Sequence, residues 1–237
     1  MFKASGIPFH IVVEPQEYDL YCEALGEDCV LALPFSNLGL GSYPARNWIW
    51  EHSIEAGHKK HWIFDDNIRA FYMLTDGKRT KMEDGKIAIN KFEEFTDQFF
   101  NIGVCGFNYM YFVTKDQSKP FAVNTHVYSS LLIRNDMPFR WRLKYNEDVD
   151  LCLQVLSNGY CTLLFNLYLI DKISTTVKLK GGNQDELYKN NDQEKKYQKS
   201  KSLEMVWPQY VKVVNRFDRW HHQISWKKHF KQKLIKG

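Results

Sequence analysis

The chain has 237 residues, 44% of them hydrophobic and 15% aromatic, with a formal net charge of +4. This is enough for one large α/β domain with a packed core, while no run approaches the ~20 continuous apolar residues of a membrane span. The five cysteines (Cys22, Cys29, Cys105, Cys152, Cys161) show no CxxC spacing and sit mostly in apolar runs, which predicts buried free thiols and a reducing compartment.

The first strand is expected at 8–14, closed by Pro15, followed by a helix over 16–26 that ends at Gly26. A second apolar run, Cys29 to Leu33, stops at Pro34. Past the polar loop 36–43, Pro44 suits a first helical position. Ala45, Trp48, Ile49, His52, Ser53 and Ala56 then share one helical face, with Gly57 as terminator. A third strand near Trp62–Phe64 delivers Asp65-Asp66-Asn67. Short apolar strands alternating with helices predict a mostly parallel sheet with helices packed on it. Ligands in such sheets gather outside the carboxyl ends of the strands, so Glu14, the loop opened by Pro34, and the Asp65 cluster belong to one rim.

The stretch 75–86 reads as a polar loop or hairpin. Asn90 with Glu93 gives a capping-box-like helix start, and Phe92, Phe95 and Phe99 line its face. Strand-like runs cover 102–113 and 121–134. The segment Pro138–Tyr145 is basic and aromatic, and an amphipathic helix starts at Glu147 and ends at Asn158-Gly159. A strand over Cys161–Phe165 follows. No internal repeat is present, and 183–202 is poor in apolar residues. Residues 178–237 carry 15 Lys and Arg against 6 Asp and Glu, leaving 17 against 22 in the remainder. A basic segment is therefore attached to a mildly acidic body. It suits a polyanionic partner, or a solvated surface helix.

Asp65, Asp66 and Asn67 form the first chemical constellation. Mg2+ or Mn2+ takes oxygen ligands and needs one or two carboxylates plus substrate phosphates. Asp and Asn also simply end strands in turns. Glu147, Asp148 and Asp150 form the second. Acidic groups are favoured in a first helical turn, but three in four residues repel unless something cationic or protonated meets them. Asp148 or Glu147 can take a proton from an acceptor hydroxyl, and Asp150 can instead lock the 138–145 loop through Arg140 or Arg142. The third is the tail, where Lys227, Lys228 and Lys231 lie among Trp226 and Phe230, a mixture suited to phosphate contact and stacking, or to a helix packed on the body. Lys180-Gly181-Gly182-Asn183 is a candidate lid over a donor, or a plain loop. His126, His221 and His222 read as structural.

Asp65-Asp66-Asn67 is similar to the DxD motif, and Glu147-Asp148-Val149-Asp150-Leu151 to the "ED" helix start, of GT-A glycosyltransferases. With Phe64 to Ile68, Asn146 to Leu151 and Lys180 to Asn183, the chain more narrowly resembles the TET-associated glycosyltransferases of bacteriophages. The resemblance implies a GT-A-type, Rossmann-like α/β domain over 1–180 with a mixed, mostly parallel sheet. A lid loop and a basic helical extension over 181–237 complete it. It implies a metal-dependent, inverting transfer from a UDP-sugar to a 5-hydroxymethylpyrimidine, in the first instance 5-hydroxymethylcytosine, in double-stranded DNA.

The implied metal residues are Asp65, Asp66 and Asn67. Pro34, Arg46, Asp65, Asp66, Lys180, Gly181, Gly182 and Asn183 would contact the donor. Asp148 is the expected base, with Glu147 beside it, and Arg140, Arg142, Lys227, Lys228 and Lys231 would meet the nucleic acid. Asn67 stands where many relatives have a third Asp. No membrane partner is expected. The N-terminus has no charged stretch followed by an apolar signal core, so the expected location is the cytoplasm, that of the host cell for a phage-encoded chain. A polysaccharide or lipid-linked acceptor, or a non-catalytic nucleic-acid-binding scaffold, are the competing functions.

Overall fold

Proline and glycine punctuate the first third of the chain as its sequence dictates. In a computed structural model that describes residues 2–114, 116, 119–173 and 193–237, β1 (Ile11–Val13) and β2 (Val30–Ala32) pair in parallel around α1 (Tyr18–Leu25). Gly26 takes φ 94° to end that helix, a conformation that L side chains avoid. α2 (Tyr43–Glu55) has Pro44 in its first turn and buries Trp50 and Ser53. It is followed by β3 (Lys60–Phe64), whose His61 and Ile63 point inward at alternate positions.

The main sheet is built from β3, β4 (Ile68–Thr75), β5 (Lys78–Lys81), β6 (Ile102–Tyr109), β7 (Phe121–Val123), β8 (Ser130–Arg134) and β9 (Cys161–Lys172). Its order is β3-β8-β6-β9-β4-β5, with β7 also on β9. The α/β class with a mixed, helix-flanked sheet is as expected, but the mostly parallel pairing is not. Within this sheet only β6–β9 is parallel, and the other ladders are antiparallel. Apolar runs carry no direction, and the strand–helix alternation that suggested parallel pairing stops after β3. Through these ladders β3, β6 and β9 nevertheless run the same way, so their carboxyl ends share one rim.

Three local expectations change. The helix expected from Asn90 begins earlier: α3 is Gly85–Thr96, started by Asp84, whose Oδ1 accepts from the Lys86 N–H at 2.8 Å. The buried face Ala88, Ile89, Phe92 needs that earlier turn, and Asn90 is an exposed interior residue. The 121–134 run splits into β7 and β8 because Asn124 and Ser129 adopt φ 57° and 60°. The basic extension is not wholly helical. After α5 (Gln193–Val206) come β10 (Val211–Arg216) and β11 (Arg219–Ile224), an antiparallel hairpin, and one turn of helix, α6 (Trp226–His229). β-Branched Val211, Val213 and Val214 favour the strand.

A buried aromatic group of Phe71, Phe92, Phe107 and Phe165, with Trp62 stacked on Phe107, fills one side of the sheet. α4 (Glu147–Ser157) covers the other, burying Leu151, Cys152 and Val155 against Trp50, Leu131 and Trp141. Its outer residues Val149, Leu153 and Leu156 pack on Leu203, Val211 and Phe230. The C-terminal segment is thus fastened to α4. Asn101 holds its end by donating to the Lys233 carbonyl and accepting from the Ile235 N–H, at 2.8 and 2.9 Å. All five cysteines are free, with Cys105, Cys152 and Cys161 buried. Among the described residues no helix is long and apolar enough to cross a membrane.

Candidate active site

The rim where β3, β6 and β9 end carries Asp65, Tyr109 and Lys172. The Asp65 N–H continues the β3 ladder by donating to the Ser129 carbonyl at 2.8 Å. Its carboxylate is fully engaged. Oδ1 accepts from Arg46 Nη2 at 3.1 Å, and Oδ2 accepts from Ser129 Oγ at 2.6 Å and Lys172 Nζ at 3.0 Å. Lys172 also donates to Tyr109 Oη at 3.0 Å and Ser129 Oγ at 2.8 Å. Burial works against the charge of Lys172, but Asp65 and the Tyr109 hydroxyl outweigh it and hold the ammonium pKa above its ordinary value.

The second cluster reaches the same place. α4 starts at Asn146, which adopts φ 56° and is tied down by a side-chain donation to the Lys199 carbonyl at 2.8 Å. Glu147 Oε1 accepts from Ser42 Oγ at 3.0 Å and lies 3.7 Å from Arg46 Nη2. A single nitrogen of Arg46 therefore stands between Asp65 and Glu147. α2 supplies it from its first turn, and the guanidinium is laid over the Trp141 ring at 4.6 Å, a stacking that fixes its plane. Among the described residues its buried Nη1 has no hydrogen-bond partner, and neither has Oδ1 of Asn67. Buried polar groups are nearly always paired, so these atoms are candidates for contact with a ligand.

Asp148 lies beside this pair. Its Oδ2 is 3.0 Å from His126 Nε2, a contact that is an ion pair only when the imidazole is protonated. Its Oδ1 accepts from the Val149 N–H at 2.8 Å. Burial raises the pKa of Asp148, but His126, Arg46 and the Val149 N–H together outweigh that and hold the carboxyl well below the usual range. Glu147 moves the other way: burial first, then the neighbouring Asp148 charge, raise it against the pull of Arg46. Adjacent carboxyls driven apart in this way are an arrangement from which acid–base chemistry can be built.

The remaining expected residues divide. Asp150 is fully buried and structural. It accepts from Arg142 at 2.9 and 3.0 Å, Gln154 at 2.9 Å and the Trp207 indole at 2.7 Å, so it locks the 138–145 loop. Arg142 is held there, and Arg140 is bound to Glu51 at 2.6 Å and lies over Trp50. Each is paired with a carboxylate of the body, Arg142 with Asp150 and Arg140 with Glu51. Lys227, Lys228 and Lys231 are exposed around α6. Asp66 and Pro34 are exposed beyond their strands, and the loop after Pro34 is tied to Glu14 through the Asn37 N–H at 3.2 Å. Lys180, Gly181, Gly182 and Asn183 lie outside the described residues.

A divalent cation does not fit at Asp65. Both of its oxygens face Arg46, Lys172 and Ser129, and two positive charges already stand where a cation would. The sequence reading missed Lys172, Ser129, Tyr109 and His126. Lys172 carried a usable signal, a cation just past Leu169-Ile170-Asp171 at a strand's carboxyl end.

A family model described as TET-Associated Glycosyltransferase matches residues 3–182. No curated protein matches the chain, and no solved structure does.

Proposed function

The chain belongs to the TET-associated glycosyltransferase family, and from that premise we propose that it moves a sugar from a UDP-linked donor to the hydroxymethyl group of a modified pyrimidine, 5-hydroxymethylcytosine in the first instance, in double-stranded DNA. One observation carries the reading: Arg46 Nη2 lies 3.1 Å from Asp65 and 3.7 Å from Glu147. The donor end and the acceptor end of the site are thereby held within one guanidinium's width.

In this mechanism Asp148 takes the proton from the acceptor hydroxyl as its oxygen attacks the anomeric carbon. The bond from that carbon to the diphosphate oxygen breaks, and UDP departs with the electron pair. A single displacement of this kind inverts the anomeric centre. Arg46 and Lys172 meet the charge that develops on the diphosphate, the task preorganised cations perform best in a partly dry site. Nη1 of Arg46 and Oδ1 of Asn67, which have no partner among the described residues, suit a donor phosphate and a donor hydroxyl. Exposed Lys227, Lys228, Lys231, Lys233 and Lys236 supply the sequence-independent attraction to a DNA backbone.

The experiment is incubation with duplex DNA containing 5-hydroxymethylcytosine and a panel of UDP-hexoses and UDP-pentoses, read by nucleoside mass spectrometry. A nucleoside heavier by one dehydrated sugar is the expected product. UDP release that proceeds at the same rate with and without DNA, and no modified nucleoside, would refute the DNA acceptor and favour a glycan or lipid-linked one.

A further inference from the structure

The β10–β11 hairpin ends in the two-residue turn Phe217-Asp218, with φ 54° and 57°. Both central residues are left-handed, which tight hairpins normally assign to Asn-Gly or Asp-Gly. A phenylalanine pays conformational strain there, and this one recovers nothing by burial, being 94% exposed. The turn is flanked by Arg216 and Arg219, which are cross-strand partners and therefore share a face. Both are exposed, and Arg216 reaches back to Gln223 at 3.2 Å. An aromatic tip between two guanidinium groups matches a stack of bases between phosphates.

Behind the tip lies a cleft of about 450 Å³ whose lining includes Val214, His221, Gln223, Trp226 and His126. His126 and Trp226 present nearly parallel rings, 8° apart in plane, with centroids 6.3 Å apart, faces suited to stacking a flat heterocycle. His126 is also the residue 3.0 Å from Asp148. Phe217 and Arg216 line the cleft as well, so it runs from the exposed aromatic tip to His126, the neighbour of the carboxylate assigned above as the base.

We propose that this hairpin opens the duplex. Phe217 enters the base stack in place of the target base, which swings out into the cleft against Trp226 and His126 and brings its hydroxymethyl group to Asp148. The inference rests on the DNA-acceptor reading above. Chemistry on a base usually requires its removal from the stack, and an apolar wedge left in the gap is a recurrent way to offset the unstacking.

The test uses the full chain and a duplex with 2-aminopurine beside 5-hydroxymethylcytosine, at protein concentrations that saturate binding by anisotropy. Wild type should raise the fluorescence severalfold. Phe217→Ala, which removes no buried contact, should give less than a third of that rise, and Phe217→Trp should restore it. The ratio of duplex to single-strand transfer rates should fall about tenfold or more in Phe217→Ala. A full fluorescence rise in Phe217→Ala, or no rise with bound wild type, overturns the wedge even if transfer to DNA occurs. Wild type that glycosylates neither duplex nor single strand instead overturns the acceptor reading beneath it.

Discussion

Asp148→Asn is the sharpest test of the acid–base assignment. The substitution keeps side-chain volume and keeps an oxygen for the Val149 N–H, now 2.8 Å from Asp148 Oδ1. It removes the charge that faces His126 at 3.0 Å and lies within the field of Arg46. Losing one charge-assisted contact is worth about 1.5–3 kcal/mol. At roughly 2–4 °C per kcal/mol for a chain of this size, the Tm falls but the protein stays folded at 25 °C. The sign with pH follows from the lowered folded pKa. Asp148 stabilises the native state above the pKa of an unfolded Asp and loses that share as pH falls through the folded value, so wild type and variant converge in strong acid. Transfer should suffer far more than stability. A general base contributes about 10²–10⁴ in rate, or roughly 2.7–5.4 kcal/mol of barrier at 1.36 kcal/mol per decade. Single-turnover transfer from a UDP-sugar to hydroxymethylated duplex gives the rate, and calorimetry with UDP gives donor affinity. The expected outcome is a rate down at least 100-fold with UDP affinity within about threefold of wild type, as estimated for a residue remote from the diphosphate. A rate within threefold of wild type, or a loss explained wholly by UDP affinity, would refute the role.

His126→Gln should move the acid limb of the kcat/KM profile to higher pH, because His126 is the main opposing influence that keeps Asp148 ionised against burial; an unmoved limb would show that His126 does not set the basicity of Asp148. Lys172→Met should weaken UDP binding roughly 10–100-fold, because it removes a positive charge facing the diphosphate and leaves Asp65 less neutralised, while wild-type turnover should persist in EDTA. Loss of wild-type turnover in EDTA, restored by Mn2+, would show that a cation does the work assigned to Lys172. Asp150→Ala should lower stability in urea by about 1–3 kcal/mol, since it leaves the Gln154 amide and the Trp207 indole N–H without their acceptor while the half-exposed Arg142 regains water; a loss under about 0.5 kcal/mol would remove Asp150 from its locking role.

The two acidic clusters were legible because each is a local pattern: a strand running into Asp65, a helix opening at Glu147. Their partners were not, since contact between residues far apart in the chain is decided by topology. Arg46 was seen only as a residue after a helix-starting proline, whereas its value lies in touching Asp65 and Glu147 at once. The capping pattern at Asn90 and Glu93 was genuine but lost to Asp84, because the buried face of Ala88, Ile89 and Phe92 needs the earlier start. The hairpin escaped notice for the opposite reason. Phe217-Asp218 lacks the glycine or asparagine by which tight turns are usually recognised, and the aromatic that hid the turn is the feature that gives it a purpose.

Strand direction decides the rest. The expectation of a mostly parallel sheet was wrong for most ladders, and of the rim it predicted only the Asp65 cluster lies on the main sheet, since β1 and β2, which bear Glu14 and Pro34, form a separate two-stranded sheet. Two antiparallel steps, β3 to β8 and β8 to β6, restore the original direction, and the parallel step to β9 keeps it. Asp65, Tyr109 and Lys172 therefore emerge together. Reversing β9 alone would leave its apolar pattern intact but carry Lys172 to the far end of a 12-residue strand, roughly 36 Å away at about 3.3 Å per residue. Asp65 would then face Arg46 without a second cation. The rule that ligands gather at carboxyl ends survives because it depends on the direction of the strands that bear the site, not on that of every neighbour.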